Sequence, residues 1–192
     1  MKKKYTILIA IFLLFAVLLS SCSIGSLIKK LSGVLSGIDD PNAEDKAIMV
    51  KVLEAIQSRD EEALRKLFSY NTVTQVDGFD QSMVDLFNYY QGNYISLEWK
   101  GSGGSGNWDY GEKKQCAGFS YDVKTDMDEF RFSIDYCSID SMDDNNVGIY
   151  SLYVIKMADD TDPEFGYGGD GKETPGINIG IKNVLPVEVD SP

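Results

Sequence analysis

The chain has 192 residues, of which 43% are hydrophobic and 11% aromatic, a composition typical of one folded domain with a core of its own. Its 30 acidic and 18 basic residues give a formal net charge of -12, which repels phosphate backbones, so we expect no nucleic-acid partner. Histidine is absent, which removes the side chain most often used for proton transfer near neutral pH and for zinc binding.

The N-terminus has the pattern of an export signal. Three lysines follow Met1, and Tyr5 to Leu19 is an apolar run too short to favour a retained transmembrane helix. The run ends in Leu19-Ser20-Ser21-Cys22, which resembles the lipobox of bacterial lipoproteins. The resemblance implies that residues 1–21 are removed and that the thiolate of Cys22 takes a lipid anchor, which would hold the protein on the extracytoplasmic face of a bacterial membrane. A plain secretory signal and a membrane anchor that contains a cysteine are the alternatives.

Residues 22–40 form the predicted tether between anchor and domain. Apolar residues recur there at helical spacing beside Lys29 and Lys30, which predicts a short amphipathic helix on the lipid surface or against the domain. Gly33 and Gly37 weaken that helix, so a partly ordered tether is the alternative.

A single domain is predicted over residues 41–184, and its first half has helical periodicity. Pro41 suits a first helical turn, and an apolar stripe continues to Ile56. Ser58 and Glu61 have capping-box spacing, which predicts a second short helix running through Phe68. A third helix is predicted over Phe79 to Gln91, stopped by Gly92.

From Tyr94 onward the apolar residues alternate with polar ones, which is typical of strands. Four strands are predicted, the last over Val147 to Met157, and helices followed by an antiparallel meander make an α+β fold. A last short strand or a docked coil is predicted around Ile177 to Val184, and residues 185–192 are expected to be loose. The alternating apolar positions are Ile95, Leu97, Trp99, Ala117, Phe119, Tyr121, Val123, Phe130, Phe132, Ile134 and Tyr136.

Gly101 to Gly106 matches the dinucleotide-binding pattern G-x-G-x-x-G. That site requires the glycine turn to open a helix inside a parallel βαβ unit, whereas here the next predicted element is another strand. We therefore predict no nucleotide site, and we interpret Gly101 to Gly111 as a long flexible hairpin loop.

The order of elements resembles the nuclear transport factor-like superfamily, a cone-shaped α+β fold also called cystatin-like. The resemblance is carried by "AIMVKVLEAIQSRDEEALRKLFS", Ala47 to Ser69, and by the meander that follows. The lipobox, this helix pair and "PGINIG" also resemble a family of uncharacterised bacterial lipoproteins known as a domain of unknown function. The superfamily fold implies helices packed on a curved sheet with a pocket between them, and it serves enzymes, ligand binders and protein-binding modules alike.

Five aromatic residues are candidates to line such a pocket, although aromatic residues at these spacings are also typical of a simple core. Many enzymes of the superfamily use an Asp-His pair, which this chain cannot supply, whereas a tyrosine donor with an aspartate base is chemically feasible. We therefore predict a non-catalytic domain that binds a small ligand or a protein partner. An enzyme with a Tyr/Asp pocket and a protein-binding envelope or immunity-type module are the alternatives. The candidate pocket residues are Tyr90, Trp99, Tyr121, Phe132 and Tyr136.

Two acidic segments supply oxygen ligands of the kind that calcium prefers, Asp140 to Asn146 and Asp159 to Glu164. Neither has the glycine and distal glutamate of a calcium-binding loop, so solvated turns are the simpler interpretation. We predict no metal site and no cofactor.

Cys116 and Cys137 are predicted to face each other across a hairpin. With the turn centred between Asp126 and Met127, the two cysteines lie equally far from it. The same register places aromatic residues opposite aliphatic or aromatic ones, and Asp122 opposite Arg131. Opposed cysteines at a non-hydrogen-bonded position are close enough for a disulfide, which an oxidising compartment permits; two free thiols are the alternative.

Overall fold

The computed structural model describes residues 42–109, 112–159 and 174–180. The predicted signal segment, Cys22, the tether over 22–40, most of the second acidic segment and the tail over 185–192 lie outside these residues. The chain divides into two units, Met1–Val50 and Lys51–Pro192. No helix within the described residues is long and apolar enough to cross a bilayer.

The described residues begin with four helices: α1 (Ala43–Ser58), α2 (Glu61–Arg65), α3 (Tyr70–Gln75) and α4 (Phe79–Tyr89). The cap of α2 is Asp60, whose carboxylate accepts the backbone N–H of Ala63 at 2.9 Å. Ser58 does not begin α2, because its hydroxyl donates back to the carbonyl of Glu54 at 2.7 Å, inside α1. The capping box predicted at Ser58 is therefore wrong, although the break between the helices is where the sequence placed it.

The second helix is shorter than predicted because the chain after it pairs with the sheet. Ser69 donates its backbone N–H to the carbonyl of Ile149 at 3.0 Å, and Ile149 donates to the carbonyl of Leu67 at 2.9 Å. These bonds make Phe68 a bridge residue beside Ile149, so Phe68 lies outside α2. Ser69 then caps α3 by accepting the N–H of Thr72 at 3.1 Å, and α3 is a helix that the periodicity did not predict.

In the part of the chain that the structure describes, the sheet has five strands in the order β1 to β5, and it is not closed. The first four form the predicted antiparallel meander, and β5 pairs in parallel with β4, so the short-strand alternative for Ile177 is correct. Helices followed by this meander confirm the α+β class. The strands are β1 (Tyr94–Asp109), β2 (Glu112–Thr125), β3 (Glu129–Asp140), β4 (Gly148–Lys156) and β5 (Gly176–Ile179), with a 3-10 helix (Asp144–Asn146) before β4.

The glycine-rich stretch is strand rather than loop. β1 continues through Gly101 to Asp109 and pairs with β2, so the predicted flexible loop is wrong while the predicted hairpin is correct. A β-carbon on Gly104 would lie 3.2 Å from the carbonyl oxygen of Cys116, which gives that glycine a packing reason. The element after the glycines is the antiparallel strand β2, whereas a dinucleotide site needs a helix at that place.

Candidate functional site

The candidate site is the face of β2 and β3 that carries the aromatic residues. In the hairpin, Phe119 lies opposite Ile134 and Tyr121 opposite Phe132, which confirms the predicted register. Because side chains alternate along each strand, these residues share one face of the sheet. All four are buried, so the face forms part of the hydrophobic core.

Tyr90 brings the helices to this face. It follows the last residue of α4 in an extended conformation, and its backbone N–H donates to the carbonyl of Leu86. Its ring stacks on Phe130 with centroids 5.0 Å apart and meets Phe132 edge-on at 6.0 Å. The C-terminus of α4 is therefore attached to the centre of the sheet by three aromatic rings.

The hydroxyl of Tyr90 is the unusual feature of this face. The residue is only 6% exposed, and its hydroxyl oxygen has no hydrogen-bond partner among the described residues. Burial raises the pKa of Tyr90, because the phenolate would be desolvated there. The side-chain amide of Gln57 partly offsets this increase in the pKa of Tyr90. Its Nε2 donates to the carbonyl of Gly92 at 3.0 Å, and the amide does not reach hydrogen-bond geometry with the tyrosine. A buried hydroxyl without a hydrogen bond costs folding free energy.

The five predicted pocket residues fall into separate groups. Tyr90 and Phe132 are in ring contact, whereas Tyr121 and Tyr136 each pack edge-on against Phe119, at 5.9 and 5.7 Å. Trp99 lies opposite Tyr121 in register, yet it is 44% exposed because β1 is the edge strand. Phe119 and Phe130 were not among the five candidate pocket residues, although they contact them directly. Both belong to the alternating apolar pattern, which could have identified them.

The carboxylates near these strands bond elsewhere. Asp122 accepts Nε and Nη2 of Arg131 at 2.8 and 3.1 Å on the opposite face of the sheet, as the register predicted. Asp135 accepts the hydroxyl of Ser151 at 2.6 Å. Asp126, at the hairpin turn, accepts the backbone and side-chain N–H groups of Asn93. Within the described ranges, no aspartate is therefore hydrogen-bonded to Tyr90.

The opposite face of the sheet is polar and buried. Asp122 and Arg131 are 7% and 9% exposed, and Ser120 hydrogen-bonds Ser133 at 2.8 Å beside them. Lys100 of β1 adds a second cation 3.5 Å from Asp122. The ion pair thus has the bidentate geometry that makes Arg–carboxylate contacts strong.

Cys116 and Cys137 lie directly opposite each other in β2 and β3 and form a disulfide, with their α-carbons 3.9 Å apart. By alternation Cys116 lies on the side of Ser120 and Asp122, away from the aromatic residues. The bond therefore joins two neighbouring strands at the polar face and touches neither Tyr90 nor Phe132 by position.

The acidic segment before β4 is a set of local caps. Asp140 accepts the N–H groups of Met142 and Asp143 at 3.2 Å each, the side-chain amide of Asn146 at 3.1 Å and the ammonium of Lys114 at 3.2 Å. The hydrogen bond from Asn146 is the largest cause of the lowered pKa of Asp140. In the described part of the chain, no group of three potential ligands is arranged to hold a metal ion.

A helical region followed by an open five-stranded sheet with one aromatic and one polar face defines an α+β domain. Residues 51–157 match the family described as "Domain of unknown function (DUF5104)". The match covers more than half of the chain, so the protein belongs to that family, in agreement with the expected kinship to an uncharacterised family. It begins within α1 and ends just after β4. No curated protein matches the chain.

Proposed function

We propose that the protein is exported, anchored by a lipid on Cys22 and displayed on the extracytoplasmic face of a bacterial membrane. The support is the basic start, the apolar run and the Leu19-Ser20-Ser21-Cys22 motif. The opposed cysteines of β2 and β3 agree with an oxidising compartment, where such bonds persist. The acidic composition gives the domain a negative field that attracts cationic partners.

The finer fold assignment is also part of this proposal. We place the domain in the nuclear transport factor-like superfamily, on the basis of helices that precede an antiparallel meander with an aromatic face. The stacking of Tyr90 on Phe130 supports it, since the superfamily resemblance implies helices packed on that face.

Within this setting the domain binds a protein partner and does not catalyse a reaction. The observation that carries this conclusion is the filled aromatic face: Tyr90, Tyr121, Phe132 and Tyr136 are all buried, and their rings pack against one another or against Phe119 and Phe130. An enzyme of the Tyr/Asp type needs a carboxylate hydrogen-bonded to the tyrosine, and no carboxylate of the described residues is bonded to the Tyr90 hydroxyl. Side chains that fill the interior leave recognition to the outer surface.

A second candidate function rests on the unpaired hydroxyl of Tyr90. A buried donor without a partner is satisfied when a ligand with a hydrogen-bond acceptor lies beside it, so a small molecule bound between α4 and the sheet is the competing interpretation. Such a ligand would be apolar with one acceptor, because the surrounding rings are Phe130 and Phe132.

Two measurements on the full-length protein test these proposals. Cys22→Ala should abolish incorporation of labelled fatty acid, and retention of lipid label by that variant would refute the anchor. Native mass spectrometry of the protein purified from membranes should give the mass of the lipidated chain alone. A bound small molecule that is present in the wild type and lost in Tyr90→Phe would replace the partner-binding conclusion with the ligand-binding one.

A further inference from the structure

Half of the exposed large apolar side chains in the described residues belong to elements that are hydrogen-bonded to one another or adjoin in sequence. Of the eight large hydrophobic side chains exposed in the described residues, four belong to α3, the loop after β3, the residue before β4 and β4 itself. The other four are distributed over α4, β1 and the β2–β3 turn. Tyr70 and Tyr150 are 64% and 42% exposed. The Tyr70–Tyr150 surface consists of Tyr70, Met142, Val147 and Tyr150.

Hydrogen bonds hold the elements of this surface together. The side-chain amide of Asn71 donates to Asp143 at 3.0 Å and to Asn146 at 2.8 Å, which ties α3 to the 3-10 helix. The hydroxyl of Thr72 donates to the carbonyl of Tyr150 at 3.4 Å, and the backbone pairing at Ile149 adds a third tie. The surface is therefore preorganised, which lowers the entropic cost of binding.

A β-bulge turns Tyr150 outward. Ile149 pairs with Tyr136 and Ser151 pairs with Asp135, so Tyr150 is an extra residue of β4 with no counterpart in β3. Its neighbours Ile149 and Ser151 are both buried, while Tyr150 itself is exposed. Bulges redirect single side chains in this way and are frequent beside functional sites. An exposed tyrosine delivered by a bulge on a held strand fits a recognition role better than a packing role.

The charges around this surface are acidic. Asp143 and Asp144 begin the 3-10 helix next to Val147, and Asp144 is exposed. Two lysines of β2 lie near this surface: Lys114 pairs with Asp140 at 3.2 Å, and the backbone of Lys113 is hydrogen-bonded to Ser141. Tyrosine rings attract cations over their faces, and carboxylates add to that attraction. A second copy of this chain bound through the same surface would bring its own Asp143 and Asp144 into the interface, so like charges disfavour self-association through this surface.

We propose that the Tyr70–Tyr150 surface docks a segment of a partner protein that presents lysine or arginine beside apolar side chains. The inference rests on the proposed function, which requires a partner, and it adds the surface and the partner chemistry. The two tyrosines supply the apolar contact area and the ring faces, and Asp144 supplies the charge. Tyrosine is among the residues that dominate the affinity of protein interfaces.

The test uses full-length protein in detergent micelles and a short fluorescein-labelled peptide of alternating arginine and leucine, followed by fluorescence anisotropy. Tyr70→Ala/Tyr150→Ala should weaken binding by about tenfold or more, since two interface tyrosines are removed. Asp144→Asn should weaken it by about threefold and reduce its dependence on salt. Val84→Ala/Met127→Ala, which removes exposed apolar side chains elsewhere, should bind like the wild type, and a glutamate–leucine peptide should not bind.

Equal affinity of wild type and the tyrosine variant, or no binding by the wild type, would overturn the inference. A dimer in sedimentation that dissociates in the tyrosine variant would overturn the partner chemistry in favour of a second copy. Circular dichroism establishes that the tyrosine variant is folded, and Asp144→Asn keeps the inference testable if it is not. Failure of the peptide to bind while Cys22→Ala loses its lipid defeats only this inference, whereas lipid label on Cys22→Ala defeats the proposed anchor whatever the peptide does.

Discussion

The two faces of the β2–β3 hairpin differ in chemistry. On the face toward the helices, Tyr121 lies opposite Phe132. On the other face, Asp122 lies opposite Arg131, each one residue away along its strand. All four side chains are buried. The aromatic pair contributes stability through buried apolar area and van der Waals contacts, so its contribution falls as the side chains become smaller. The ion pair is stabilised only while both partners remain, because each charge is costly to bury alone. Equal burial thus predicts different responses to substitution.

The largest effect is expected on the aromatic face. Phe132→Ala should lower the free energy of unfolding by about 3 to 5 kcal/mol, because it removes a fully buried ring and leaves a cavity between Tyr90 and β2. Urea unfolding of the full-length protein measures this. Trp99→Ala is the matched control and should cost clearly less, since Trp99 is half exposed. A similar loss for both variants would contradict the burial difference.

On the polar face, the loss of stability should depend on whether one or both partners of the Asp122–Arg131 ion pair are replaced. Asp122→Asn should cost about 3 kcal/mol, because the buried guanidinium of Arg131 loses its bidentate carboxylate. Asp122→Leu/Arg131→Met should cost less than the sum of its two single substitutions, since no unpaired charge of the pair then remains. Strict additivity in this double-mutant cycle would mean that the two side chains do not stabilise each other.

The disulfide joins the same two strands, β2 and β3, on the polar side of the sheet, so its removal also affects the polar face. Cys116→Ser/Cys137→Ser should cost about 3 kcal/mol, the chain-entropy value for a closed loop of this length. The unfolding of the wild type, with and without reductant, provides the measurement, and the double variant should be insensitive to reductant. Mass spectrometry after thiol alkylation reports the bond directly, and two alkylated cysteines in the exported protein would contradict it.

A smaller effect is expected at the unpaired hydroxyl. Tyr90→Phe should leave the free energy of unfolding unchanged or raise it by up to about 1 kcal/mol, because a buried donor without a partner is removed and the ring contacts remain. Tyr94→Phe is the control for loss of a tyrosine hydroxyl at a neighbouring buried position. Destabilisation by Tyr90→Phe would mean that the hydroxyl has a partner in solution, which would favour the ligand-binding candidate.

The smallest effect is a pH dependence at the end of β3. The folded-state pKa of Asp140 lies below its ordinary value, chiefly because Asn146 donates to its carboxylate. Its contribution to stability is therefore present above the ordinary carboxyl pKa and is lost as the pH falls through the folded-state pKa. Asn146→Ala should raise the pKa of Asp140, measurable by NMR titration, and its pH-dependent cost should disappear in acid. Asn145→Ala, which removes a donor to Asp143 instead, should leave Asp140 unchanged.

The amino-acid sequence by itself determined the class of fold and the register of the central hairpin. Alternation has a period of two residues, and the charge pair Asp122–Arg131, the apolar pairs and the cysteines all agree on one register. A one-residue slip would have moved the entire aromatic set to the polar face of the sheet, which is why this prediction was strongly constrained. The family membership follows from sequence as well.

The tertiary structure decided the features that depend on contacts between residues far apart in the sequence. Leu67 to Ser69 leave the helical pattern because β4 offers them a backbone partner, and Tyr150 is exposed because β3 has no residue opposite it. The glycines after Trp99 form a strand because β2 lies beside them, although glycine alone favours loops. The burial of Tyr90 also depends on the contact of the end of α4 with β3. Local periodicity records which face of an element is apolar, but pairing at a strand edge and the filling of an interior depend on residues far away in the chain, which no local pattern contains.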